Sequence, residues 1–595
     1  MKRRLLIAWI FLQLYMSTLS KMDAMTLRGI HLLFVLSLSG LFFIDHKKLS
    51  YVFAGLSASA LGAFIYLYPQ LSLTGGRLGP VHIYLGLAII LLLLVMALRV
   101  SRELAYICLF FLSYLYWGRW VPGILGHGGF SLYRLCDHMV WGSQGIFGLG
   151  AGVSMSYIFL FVIYGALLKE SGFIQMIYQF SHRFLDRSQG ACAKMAILAS
   201  GLLGMMNGSA VANVATTGTL TIPLMKKSGY SSEYAAAVES AASTGGQFCP
   251  PIMGAVGFVM AEYLSIPYSR VMVAGVLPAA LYYVSLFVQV HYEAKKVGIR
   301  GDLVREDFDF WDLLPLLSIL CLIVLMLMGY TPIYSVLWAI LVLVVTMQAH
   351  PRRKFRGKEF FDGLEEGGRM ALKISLACIL IGLLIGSVTL SGFGINFGHL
   401  VLSKLAGNSL ILGGIFVMVL SVILGMGVPG VAAYIIVASV AVPVLLELGA
   451  PALAAHMFCL YYAVLSNITP PVAISCYMAS SLAGSNPWKT GLLAIKIGLV
   501  GFILPFLFLL NPILLGLGSW TDIFLPALSG VLGTLALSVA LSGYFKTKLS
   551  KLEGVLLFIA GLALMVPGQE SDLLGLGLGA LAYGLHTRRW KVEKV

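Results

Sequence analysis

Apolar stretches long enough to cross a lipid bilayer recur from one end of this chain to the other, a pattern no soluble architecture absorbs. A membrane-spanning helix needs about 20 consecutive apolar residues, within a range of about 17–25. Such stretches fall near 5–20, 27–44, 51–68, 82–98, 104–120, 152–168, 269–291, 311–328, 332–348, 370–390, 491–511, 523–543, 553–567 and 572–586. Two more, 232–265 and 452–484, are interrupted by Gly and Pro. The expected fold is an all-α polytopic membrane protein with about 16 crossings. Composition agrees: of 595 residues, 59% are apolar and 11% charged, against about 45–50% and about 25% in soluble domains. The net charge of +15 does not mark a nucleic-acid partner, because Lys and Arg fall in short groups between apolar stretches rather than in one patch. The eight cysteines form no CxxC pair and read as small hydrophobes. Residues 1–20 resemble a signal peptide but lack a small-x-small cleavage site, so a retained first helix is expected.

Cytoplasmic loops of membrane proteins are enriched in Lys and Arg. Starting with Lys2, Arg3 and Arg4 inside, the inner loops carry His46, Lys47 and Lys48, then Arg99 and Arg102, then Lys295, Lys296 and Arg300. Further along they carry Arg352, Arg353, Lys354, Arg356 and Lys358, then Lys489, then Lys546, Lys548 and Lys551, and finally Arg588 and Arg589. Outer loops receive only Lys21, Arg77 and Arg119. Both termini are therefore expected in the cytoplasm. The alternation survives only if 191–226 and 409–447 each enter and leave on one side. Both are expected to be re-entrant hairpins, with arms near 191–203 and 210–225, and 409–424 and 431–447.

The hairpins belong to an internal repeat. Gly204 to Ala210 (GMMNGSA) matches Gly425 to Val431 (GMGVPGV), and each following arm ends in Pro, Pro223 or Pro443. Further on comes a diproline, FCPPI around Pro250 and Pro251 and ITPPV around Pro470 and Pro471. The two hairpins would enter from opposite sides, an inverted-repeat design typical of alternating-access transporters. In hydrocarbon every backbone polar group needs a partner, so broken helices persist only where they line a cavity or are buried in protein. Gly245 and Gly246 can end one half-helix and the diproline can start the next, since Pro at the first helical turn loses an amide that had no partner. Freed carbonyls suit a hard cation, and a half-helix N-terminus suits an anion. Two cation sites are expected, one between turn 207–210 and break 244–250, the other between turn 426–430 and break 466–470. Their candidate ligands are Asn207, Ser209, Gly245, Gly246 and Cys249, and Gly427, Gly430, Asn467 and Thr469. The substrate is expected between the two turns, near Ser209, Ala210, Thr216, Thr217, Pro250, Pro251, Pro429, Pro470 and Pro471. A competing explanation is that Gly and Pro merely kink packed helices.

The stretches GMMNGSAVANVATTGTLTIPLMKKSGY and ESAASTGGQFCPPIMGAVGFVMAE resemble the large membrane subunit of the tripartite ATP-independent periplasmic transporters. They are most similar to the fused permeases that work with TAXI-type solute-binding proteins. The resemblance covers roughly residues 140–512. It implies two hairpins, two Na⁺ sites and a periplasmic TAXI-type binding protein that delivers a small organic anion, with no other cofactor. It also implies that 1–125 stands for the small subunit, 126–512 for the large permease subunit and 513–595 for extra C-terminal helices. One departure stands out: five apolar stretches precede residue 121, where the separate small subunit has four crossings. The second turn also lacks the Asn and Ser of the first, so its cation contacts would be mostly backbone.

Ionisable groups deep in apolar segments are functional candidates. Glu239 lies in the half-helix before the first break, where it can couple protons or balance the cation sites, or simply bond to Ser or backbone. Glu262 sits near the outer end of its crossing. His456, in the matching half-helix of the second copy, fits a satisfied structural residue. Residues 173–188, with Gln179, His182, Arg183, Asp186 and Arg187, read as an interfacial amphipathic helix. Residues 122–145, with His127, Arg134, Asp137 and His138, read as an outer loop or a contact for a binding protein.

No GxxxxGK[ST] or HExxH motif is present, so ATP hydrolysis by the chain itself and zinc hydrolysis find no support, and the inverted broken-helix repeat argues against a separate ATPase. The expected function is secondary uptake of a small organic anion, a carboxylate, driven by Na⁺ with H⁺ as the alternative ion. The runner-up is a stand-alone Na⁺/dicarboxylate symporter of similar hairpin design, with no binding protein.

Overall fold

The computed structural model describes residues 2–185, 188–299, 309–351, 355, 357–401 and 409–594. Asp186, Arg187, Arg300, Arg352, Arg353, Lys354, Arg356 and the side chains of His182 and Asn207 lie outside the described residues. All named elements are helices. Ten described helices are long and apolar enough to cross a membrane, or up to eleven spans if the bent pair 487–510 counts as one. Several other expected crossings are helices of marginal length, such as Lys2–Thr18, Arg102–Trp117 and Lys551–Met565. The stretch 491–511 is not one straight rod: Pro487–Ile497 and Leu499–Leu510 meet at a bend of 44° at Gly498. The bend exposes a carbonyl, and Gln289 Nε2 donates to Ile497 O at 2.8 Å. A buried backbone acceptor is thereby satisfied, as an apolar surrounding demands.

The spine of the molecule is the 35-residue helix Gly357–Ser391, about 50 Å long at 1.5 Å per residue. It packs against helices Lys2–Thr18, Ala24–Phe43, Pro80–Val100, Arg102–Trp117, Phe159–Glu170 and Gly430–Glu447. Small residues allow the approach: a Cβ at Gly367 would lie 3.0 Å from Ile163 Cδ1, and one at Gly368 would lie 3.0 Å from Leu6. Ion pairs gather at one end of the spine, where Arg3 meets Asp362 (2.7 Å) and Glu365 (3.1 Å), and Lys169 meets Glu366 (2.6 Å). Residues 122–145 are not a plain loop. They hold a short helix, Leu132–Cys136, and a π-helical turn, Asp137–Trp141, pinned by Trp141 Nε1 donating to His82 O at 3.0 Å. Helices Trp520–Ser542, Lys551–Met565 and Gln569–Lys594 pack as a group, and the first of them lies on helix Tyr268–Val297.

Candidate functional site

Two helical hairpins and two broken helices form the centre. The first hairpin joins Ala191–Asn207 to Ala210–Lys227. Gly208 ends its first arm in the left-handed region at φ 63°, where Gly carries no Cβ penalty. Ser209 caps the second arm, its Oγ accepting from Ala212 N at 3.3 Å. The first arm runs four residues past its expected end at 203. The second hairpin joins Leu410–Gly425 to Gly430–Glu447 across Gly427 at φ 77°.

Each broken helix repeats one design. The first runs Ser232–Gly245, then a 3₁₀ turn Gly246–Phe248, and resumes as Val256–Leu264. The second runs Ala452–Leu465, then Ser466–Ile468, and resumes as Ile474–Ala483. The Pro250–Pro251 and Pro470–Pro471 peptides are both cis. The expectation that the diproline starts the second half-helix is corrected. The helices resume several residues later, after Ala255 (φ 67°) and Ala473 (φ 36°). A residue that precedes Pro avoids the α region, so consecutive prolines hold the chain extended. Pro250, Pro251, Pro470 and Pro471 thus belong to the unwound link. Pro250 packs on Gly275 and Pro470 on Gly491, where a Cβ would come within 3.1 Å and 2.9 Å of the proline rings.

A second correction concerns the half-helix carbonyls, several of which already have partners. In the first copy Tyr282 Oη donates to Ala241 O (2.9 Å) and Tyr283 Oη to Ala242 O (3.0 Å). In the second copy the break caps itself. Ser466 Oγ donates to Ala463 O (2.7 Å), Asn467 Nδ2 to Val464 O (2.9 Å) and Thr469 Oγ1 to Leu465 O (2.8 Å). These acceptors lie in apolar surroundings, where an unpaired carbonyl is costly. Ala242 O also takes the backbone N–H of Gly246, and Val464 O that of Ser466, so both lone pairs of these two carbonyls are engaged.

Hairpins and breaks interlock through glycines. A Cβ at Gly204 would lie 3.0 Å from Ser243 O, and one at Gly246 would lie 2.6 Å from Gly204 Cα. The second copy repeats this: a Cβ at Gly425 would lie 2.8 Å from Ala463 O and 2.7 Å from Ser466 Oγ. The two turns also meet each other. A Cβ at Gly208 would lie 2.6 Å from Gly254 O, and one at Gly430 would collide with Gln247 Oε1 and lie 3.4 Å from Gly208 O. First turn, second turn and first break therefore touch at one point.

At that point Gln247 is fully buried, and neither its Oε1 nor its Nε2 has a hydrogen-bond partner. Thr244 Oγ1, also fully buried, is likewise unpartnered. Sequence reasoning singled out Gly245, Gly246 and Cys249 around these two residues and missed both. Cys249 Sγ lies 3.5 Å from Pro250 O. Glu239, fully buried, lies about one and a half helical turns before Thr244 in the same helix. Its carboxylate takes Ser200 Oγ (2.6 Å), Thr221 Oγ1 (2.6 Å), Ser243 Oγ (3.2 Å) and Thr217 Oγ1. Asn213 Nδ2 donates to Ser200 O (2.7 Å) and Ser243 Oγ (3.0 Å). The periodic Asn213, Thr217 and Thr221 put three polar groups on one helix face, a signal legible in the sequence but not used. Thr216, expected at the substrate, bonds its own helix at Ala212 O (3.0 Å). His456 is held by Tyr434, Oη to Nδ1 2.7 Å.

A cavity of about 550 Å³ opens beside the two turns. Gly208, Ser209, Gly427 and Pro429 line one wall. Ser101 and Glu103 from the N-terminal helices, and Glu366, Arg369 and Lys373 from the spine, line the other. The sequence offered no Arg near either turn. The cations come instead from a helix more than 140 residues from the first turn and about 55 before the second, and only the fold brings them there. Arg369 is engaged by Glu365 (2.8 Å) and lies over the Phe42 ring at 4.7 Å. Lys373 lies 5.5 Å from the Phe43 ring centre.

The chain is 22% identical over 334 residues to the isethionate TRAP transporter permease protein DctMQ of Oleidesulfovibrio alaskensis, covering 55% of this chain and 52% of the relative. It is 28% identical over 168 residues to the C4-dicarboxylate TRAP transporter large permease protein DctM of Pseudomonas aeruginosa, covering 27% and 39%. It is 28% identical over 138 residues to the sialic acid TRAP transporter large permease protein SiaM of Vibrio cholerae, covering 23% and 32%. The matches thus span about half of the first relative and less of the others. The family described as "Tripartite ATP-independent periplasmic transporter, DctM component" matches residues 87–523, which include both hairpins, both breaks and the spine. This multi-pass membrane chain belongs to the DctM-component family of tripartite ATP-independent periplasmic transporters.

Proposed function

We propose that the chain carries a small organic anion inward by cation-driven secondary transport, receiving it from a periplasmic solute-binding protein of the TAXI type. The observation that carries this reading is the meeting of two turns and a break beside a cavity whose far wall bears Arg369 and Lys373. Relatives named for isethionate, C4-dicarboxylate and sialic acid transport support an anionic substrate. Lys373 is the better clamp, because Arg369 is already paired with Glu365. Ser209 and the backbone at Gly208 and Gly427 face the same space and supply hydrogen bonds from the hairpin side.

The donor set fits Na⁺ at the first break. The unpartnered oxygens of Gln247 and Thr244 are neutral and hard, which suits a monovalent alkali ion. No group of three or more His, Cys, Asp or Glu able to hold a metal occurs among the described residues. At the second break Ser466, Asn467 and Thr469 offer remaining lone pairs. Bound Na⁺ would tie the turn to the break, so that the cavity is shaped only when the ion is present.

In this reading residues 1–125 and the spine are a static scaffold, 126–512 contains the moving hairpins, and 513–595 is peripheral. The two copies differ in exposure: Pro251 is buried, while Pro471 is exposed. A transporter held in one of its two access states should show such asymmetry. Proteoliposome uptake with and without the solute-binding protein tests the proposal. Uptake should require both the binding protein and an inward Na⁺ gradient; uptake without the binding protein favours the stand-alone symporter. Lys373→Gln should raise the KM for the anion about 10-fold or more, the scale of losing a charge-assisted hydrogen bond, while leaving the Na⁺ dependence in place.

A further inference from the structure

The C-terminal helices lie mostly beyond the family match, which ends at residue 523, yet they enclose a cavity larger than the one beside the two turns. It measures about 810 Å³ and lies between helix Tyr268–Val297 and the three C-terminal helices. Its body is apolar, walled by residues such as Phe287, Leu535, Val539, Leu557 and Leu564. Its polar members are Lys194, His291, Tyr292, Tyr583 and His586.

Two of these groups lack the partner that burial demands. Lys194 is only 8% exposed. Its ammonium donates to Ser188 Oγ (2.5 Å) and lies 3.1 Å from His291 Nδ1, and among the described residues no carboxylate pairs with it. A buried cation without a counter-charge is expensive. His586 is 2% exposed; its Nδ1 faces Glu553 at 3.1 Å, but its Nε2 has no hydrogen-bond partner. Around the cavity lie more cations, Lys295 over the Tyr292 ring (5.1 Å) and Lys546 over the Trp590 ring (4.6 Å). These are the groups that the charge pattern assigns to the cytoplasmic side.

We propose that this cavity binds an anionic phospholipid of the cytoplasmic leaflet. The acyl chains fill the apolar body, and the headgroup phosphate accepts from Lys194 and the neighbouring donors. An apolar body rules against a polar metabolite, and a basic end selects an anionic headgroup from the surrounding bilayer. Basic pockets between helices on this side are suited to such lipids. The lipid would bridge the base of the first hairpin, which carries Lys194, to the C-terminal helices, and so join a moving element to a peripheral one.

The test uses the full chain, purified in detergent and delipidated, with binding followed by native mass spectrometry and thermal unfolding. Phosphatidylglycerol should bind about 5-fold more tightly than phosphatidylcholine, the scale of one Lys near a headgroup, and should raise the unfolding temperature. Lys194→Gln should remove that preference while retaining phosphatidylcholine binding. Leu535→Trp, which fills the apolar body, should reduce binding of both lipids and provides a second variant should Lys194→Gln fail to fold. Equal binding of the two lipids by the unmodified chain overturns the proposal. So does a preference that survives Lys194→Gln, or an equal thermal shift from inorganic phosphate alone. None of these readouts depends on transport.

Discussion

Glu239 shows how a single ionisable residue can organise a broken helix. Four hydroxyls from the two hairpin arms and its own helix converge on one carboxylate. Each Thr hydroxyl also reaches the carbonyl four residues back, Thr217 to Asn213 O (2.9 Å) and Thr221 to Thr217 O (3.1 Å), so its single proton is shared. Glu239→Ala would leave these buried hydroxyls without the carboxylate and should cost about 3 kcal/mol, read as a lower midpoint in thermal unfolding. Gln247 has the opposite character, with two buried polar atoms and no protein partner. Gln247→Leu should therefore leave stability without Na⁺ unchanged or raised, because an unsatisfied buried amide is removed. The same variant should lose the stabilisation that Na⁺ gives the unmodified chain, measured as a Na⁺-dependent thermal shift. Glu239 stood out in the sequence because a carboxylate in an apolar stretch is rare. Gln247 did not, since an uncharged polar residue beside a Gly pair carries no mark until its neighbours are known.

At the scale of elements, the repeat was legible because Gly and Pro have few backbone alternatives. The two turns, the two breaks and most helix positions follow from that and from hydropathy. The start of the resumed half-helices was not legible, because a diproline is compatible both with a first helical turn and with an extended link. The left-handed Ala255 and Ala473, after which the helices resume, distinguish them. Nor could the sequence reveal that Tyr282 and Tyr283, some 40 residues from the carbonyls they cap, satisfy the first break. The glycine interlock makes a sharp prediction. Gly246→Ala puts a methyl group 2.6 Å from the Gly204 backbone, which no side-chain rotation can relieve. It should cost about 1–3 kcal/mol or more by overpacking and abolish uptake. Gly62→Ala, with nothing within 4 Å of the added carbon, should be silent in both unfolding and transport.

Across the whole molecule, the hairpins touch tip to tip and share no extended contact along their arms among the described residues, an arrangement that insertion from opposite sides would require. Lys226 Nζ, at the base of the first hairpin, donates to Ala483 O at 2.6 Å, just before Lys489, which the charge pattern also places inside. Glu447, at the base of the second, faces His399 at 3.6 Å. The cavity between hairpins and spine was beyond the sequence for the same reason as the overall packing: Glu103, Lys373 and Ser209 are far apart in the chain and meet only by folding. Opposite insertion of the hairpins is the claim on which transport by alternating access rests. Its most direct measurement is side-specific labelling of Lys227→Cys and Leu446→Cys on a cysteine-free background, with a membrane-impermeant maleimide in oriented vesicles. Lys227→Cys should react only from the cytoplasmic face and Leu446→Cys only from the periplasmic face. Reaction of both from the same face would contradict opposite insertion.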